Sequence, residues 1–148
     1  MSSAMTTNRV AYEEDFAAWA YDQAGLLRAG DLAALDLENL AEEIESLANR
    51  ERREVRSRLR VILQHLLKWK FQPERQSRGW SSTIRTQRDD LGEVLNDNPS
   101  LRSELQAFLP KAYARSRENA LDETGLYRLP ETCPWTIEQV MSPDFLPD

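Results

Sequence analysis

One cysteine, one histidine and five glycines are all that this 148-residue chain holds of three residue types that build reactive and phosphate-binding sites. A lone Cys133 can close no internal disulfide and furnish no zinc cage. Five scattered glycines form neither a glycine-rich phosphate loop nor a Gly-x-Ser-x-Gly elbow. No apolar run approaches the ~20 residues of a membrane span. Residues 1–8 lack an apolar run of signal-peptide length. The expectation from these absences is a cytoplasmic protein that does not enter a membrane, calls for no cofactor and leans away from enzyme chemistry.

What is present is a chain rich in charge and in helical periodicity. Its hydrophobic fraction of 41% and charged fraction of 30% suit a folded domain rather than a disordered one. The length fits a single helical domain over 1–148, with residues 1–10 frayed or disordered and 127–148 as a tail wrapped on the rest. The net charge of −6 hides an uneven distribution: residues 1–49 carry −8, residues 50–88 carry +9 and residues 89–148 carry −7. A cationic middle between two anionic flanks makes the overall charge a poor guide to partners.

The spacing predicts an all-α fold built around one long helix. Asp36 is a natural cap for a helix running to Phe71, with apolar positions Leu37, Leu40, Ala41, Ile44, Leu47 and Ala48, a lapse at Glu51 and Arg52, then Val55, Leu59, Ile62, Leu66 and Trp69. At 1.5 Å per residue such a helix spans roughly 54 Å. It therefore bends, breaks near Asn49, or protrudes; continuity with a bend is the expectation. A first helix is predicted over Tyr12–Ala29, stopped by Gly30. A third begins near Trp80. A fourth is capped by Asn98, opens with Pro99, is kinked by Pro110 and stops at Gly125. Thr136 and Gln139 form a capping-box pattern for a short last helix inside the tail.

Several strings in order carry a resemblance. They are Tyr12–Phe16 with Trp19 and Ala20, the run Asp36–Leu47, Leu66–Trp69 followed by Gln72–Arg75 and Trp80, and Cys133–Thr136 with Asp144–Pro147. Together they resemble the bacterial family catalogued as domain of unknown function 29, over about Tyr12–Pro147. The resemblance implies a small all-helical protein and brings no activity or catalytic residue with it.

The candidate binding residues are therefore arginines. Arg52, Arg56 and Arg60 recur every four residues and share a helix face, where like charges oppose one another by about 0.2–0.5 kcal/mol per pair. The plainer account is that the acidic flanks fold back and neutralise them; the functional one is an anion or partner bound there. Arg75 and Arg78, in the polar connector after Pro73, are a second candidate for an anion or peptide carboxylate. Nucleic acid is the sharper version, with Trp69, Phe71 and Trp80 among the cations, but both tryptophans fit core positions better. No catalytic residue or metal site is assigned: His65, the only histidine, lies some 30 Å along the helix from Glu42, and nothing places Cys133 beside it. The expected function is a non-enzymatic interaction module, with an unknown protein partner or a second copy of itself. Nucleic-acid or polyanion binding through the central arginines is the alternative.

Overall fold

The computed structural model describes residues 11–148, so the expected fraying of residues 1–10 lies outside the described residues. Five α-helices occur among them: α1 Phe16–Ala29, α2 Leu37–Phe71, α3 Arg78–Asp97, α4 Leu105–Thr124 and α5 Ile137–Met141. The fold is an all-α bundle built around the long α2, which is helical without interruption across Asn49. By its internal contacts the chain divides into two compact units, Met1–Asn49 and Arg50–Asp148, and α2 contributes residues to both.

Local chemistry sets the helix ends. Asp15 caps α1, its side chain accepting the Ala18 N–H at 3.0 Å; this moves the start from Tyr12 to Phe16. Gly30, at φ 74°, closes α1 in the left-handed conformation that only glycine adopts freely, and the Asp31 N–H bonds back to the Leu26 carbonyl. Asp36 opens α2, its carbonyl accepting the Leu40 N–H at 2.9 Å. Ser77 caps α3. Asn98 does not cap α4: its side chain turns back to the Val94 carbonyl and to Glu51. Pro99–Glu104 is consequently a 3-10 turn, and α4 begins at Leu105 and runs through Pro110. The capping box of Thr136 and Gln139 is complete.

In the second unit, Asn98 meets Glu51 and Arg58 meets Asp90, so α3 runs antiparallel to α2. Arg52 meets Glu104, and Ser116 meets the Arg60 carbonyl, so α4 runs parallel to α2. The core between these three helices is Val55, Leu59, Ile62, Leu63, Leu66 and Leu67 of α2 against Ile84, Leu91 and Leu95 of α3 and Leu105, Leu109 and Tyr113 of α4. Leu129, Trp135 and Val140 carry the tail into the same core. Backbone carbonyls hold it there: Pro130 accepts from the Tyr113 hydroxyl at 2.6 Å, and Val140 accepts from the buried Arg88 guanidinium at 2.8 Å. Burial pushes the Arg88 guanidinium below its ordinary pKa, while Asp144 opposes that fall.

Trp69 and Trp80 are only half-buried, which corrects their assignment to the core. Adjacent rows Ile62–Leu63 and Leu66–Leu67 both point inward, so the inward face is centred away from Trp69. Lys68 is buried in their stead, paired with Glu123 at 3.0 Å and lying 5.0 Å from the Trp80 ring.

Candidate functional site

The first unit is a helical hairpin with almost no interior. Trp19 and Gln23 are its only buried side chains among the described residues. The Trp19 indole donates to the Asp36 carboxylate at 3.0 Å, and the Asp36 N–H donates to Gln23 at 2.8 Å. The Asn39 amide beside Asp36, then the Trp19 indole, hold that carboxyl below its usual range against the opposing effect of burial. The Tyr12 hydroxyl donates to Glu43, and this bond, with partial burial and acidic neighbours, raises its pKa to about 12. Tyr12 also packs edge-on against Phe16 and Trp19.

These contacts pair Tyr12 with Glu43 and Trp19 with Asp36, so α1 and α2 are antiparallel. Turning from that contact line by one row on each helix brings Phe16 and Leu27 of α1 to the same side as Leu37, Ile44 and Leu47 of α2. All five are 51–67% exposed. Glu38 and Glu45 border this apolar side on α2, and both are exposed. Apolar side chains of this size grouped on one side of a small hairpin give it an exposed apolar face instead of singly scattered apolar residues.

The arginine run lies in the second unit, and the structure divides it. Arg52 pairs with Glu104 at 3.1 Å, and Arg58 with Glu54 at 3.0 Å and Asp90 at 3.2 Å. The acidic flank thus does reach these two. Arg56 lies over the Phe108 ring, 5.5 Å from its centroid. Arg53 and Arg60 find no carboxylate among the described residues. With Arg56, they line an open cleft of about 620 Å³ between α2 and α4, joined there by Lys111 and Arg115. Periodicity on α2 singled out Arg56 and Arg60 but passed over Lys111 and Arg115, whose own spacing of four residues was the available signal. Arg75 stands exposed in the connector, whereas Arg78 belongs not to the connector but to the first position of α3, because Ser77 caps that helix; both lie apart from the cleft.

His65 and Cys133 are each bonded to a nearby backbone carbonyl. The His65 Nδ1–H donates to the Val61 carbonyl at 2.9 Å, and burial lowers the imidazole pKa. Burial raises the Cys133 thiol pKa, and the thiol donates to the Trp135 carbonyl. Among the described residues no three His, Cys, Asp or Glu side chains gather as metal ligands, and no helix is long and apolar enough to cross a membrane.

No curated protein and no solved structure matches the chain. A family model does, over residues 11–146. The strings around Asp36–Leu47 and Cys133–Thr136 fall inside that span, in the hairpin and in the tail. The chain belongs to the family described as Domain of unknown function DUF29.

Proposed function

We propose that this protein is a non-enzymatic interaction module whose first unit docks a cationic amphipathic helix from a partner protein. The observation that supports this is the apolar side of the hairpin: Phe16, Leu27, Leu37, Ile44 and Leu47 are each more than half exposed. Two antiparallel helices with one apolar side form a groove into which a third helix can lay its own apolar stripe. Charge selects the partner. Residues 1–49 carry −8, and Glu38 and Glu45 border the groove. A lysine- or arginine-flanked helix is attracted there, whereas a second copy of the hairpin brings like charge against like.

Peptide binding to the intact chain tests the proposal. An amphipathic leucine–lysine peptide of about 18 residues is expected to bind, and its leucine–glutamate counterpart and a scrambled leucine–lysine peptide are not. The double substitution Ile44→Ser and Leu47→Ser is expected to weaken binding by about tenfold or more, since it removes two central apolar contacts. The fold should survive, because both side chains are already exposed. Equal binding of the scrambled peptide reduces the effect to bulk charge and overturns the reading. Dimerisation at micromolar concentration that the same double substitution abolishes would assign the surface to a second copy.

A further inference from the structure

We infer that the cleft between α2 and α4 is a binding site for an oligophosphate chain, separate from the hairpin surface. Five cations line it, Arg53, Arg56, Arg60, Lys111 and Arg115, against one carboxylate, Glu118. None of Arg53, Arg60, Lys111 and Arg115 takes part in an ion pair among the described residues, while Arg52 and Arg58 on the same helix do. The contrast matters. Where this helix uses arginine to join elements, a carboxylate pairs with it; in the cleft the one carboxylate, Glu118, forms no ion pair among the described residues.

Like charges three or four residues apart on a helix repel, and the cleft holds such pairs on both walls: Arg53 with Arg56, Arg56 with Arg60, and Lys111 with Arg115. An anion shared between the walls removes that repulsion. Arg56 is already oriented by the Phe108 ring, which reduces the side-chain freedom lost on binding. Ser57 adds a hydroxyl donor at the cleft wall. Guanidinium groups grip phosphate oxygens through paired N–H donors, and lysine serves as a point charge beside them.

Two features select a short phosphate chain over a nucleic acid strand. The α2 wall from Arg53 to Arg60 is only about 10 Å long at 1.5 Å per residue, which concentrates the charge over a few phosphates. The remaining lining is Ala112 and Ala114, with no aromatic side chain; Phe108 has Arg56 over its ring, and Tyr113 is buried in the core. A base has no free ring to stack on, and single-strand binding depends on such stacking. The recognised group is therefore the phosphate chain itself, whether as inorganic triphosphate or as part of a nucleoside triphosphate.

Calorimetric titration of the full chain with inorganic triphosphate, orthophosphate, a nucleoside triphosphate, the bare nucleoside and a single-stranded oligonucleotide tests this. Triphosphate should bind saturably, about tenfold or more tighter than orthophosphate, and weaken with added salt. The nucleoside triphosphate should match it within about threefold, and the nucleoside should not bind, since no base contact is available. The pair Arg60→Gln and Lys111→Gln should lose about tenfold or more, whereas Arg75→Gln with Arg78→Gln, which removes the same charge elsewhere, should change little. Thermal melts of both variants establish that they fold. Absence of saturable triphosphate binding overturns the proposal. So does equal loss in both variants, which would mean bulk charge alone, or an oligonucleotide that binds far tighter than triphosphate and depends on Arg60 and Lys111.

Discussion

His65 is the chain's one imidazole, which makes its protonation separable from that of other groups. Burial, reinforced by the positive Lys68, lowers its pKa in the folded state; the Val61 carbonyl and Glu123 oppose the fall. An unfolded chain takes up this proton near pH 6.5. The folded state, favouring the neutral ring, gains stability that is full above that value and is lost as the pH falls toward and through the lowered folded value. Urea midpoints of the wild type and of His65→Gln, compared between pH 8 and 5, should therefore diverge, with the wild type losing more on acidification. Superimposable pH profiles would show that the ring is not held neutral by the fold. At this scale the sequence was informative wherever a residue acts on its own backbone. Asp36, Gly30, Gly125 and Thr136 stand at the helix ends assigned to them because capping depends on a few neighbouring residues. It was uninformative where a side chain has a choice. Asn98 bonds Val94 and Glu51 in preference to the next helix, and that choice depends on a residue 47 positions away.

The contact between α2 and α4 turns on Ser116, which is fully buried. Its Oγ lies 2.8 Å from both the Arg60 and the Ala112 carbonyls, so a hydroxyl, and not a larger group, fits where the helices approach. Ser116→Leu should destabilise the protein by about 1–3 kcal/mol through overpacking, and Ser116→Ala by about 1 kcal/mol through the lost hydrogen bond. Denaturant titration distinguishes them; equal losses would mean that the space at this crossing is not confined. Ser116 was recoverable from sequence, since Leu105, Leu109, Ala112, Tyr113, Ser116 and Ala120 form one helical stripe and the serine is its only polar member. The long α2 was legible for the opposite reason: 35 residues without proline or glycine leave no local cause for a break. The face its central arginines present was only half legible. Their spacing was visible, but whether a carboxylate or an open cleft stands opposite is decided largely by α3, by the turn Pro99–Glu104 and by α4, which are separate stretches of chain.

Across the whole molecule, the step in charge between residues 49 and 50 coincides with the boundary between the two compact units. The buried cluster lies entirely in the second unit, while the first buries only Trp19 and Gln23 among its described residues. Local stability should follow burial. In native-state hydrogen exchange, amides of residues 55–67 should be the best protected, and those of residues 41–48, in the same helix, should exchange about a hundredfold faster or more. Uniform protection along α2 would show that the hairpin is as stable as the bundle. A helix that belongs to both units has one more consequence. Its core half supplies the costly first turn of helix formation, so its outer half needs only propagation. That outer half can melt and reform turn by turn, like a zipper with one end sewn, without remaking the rest.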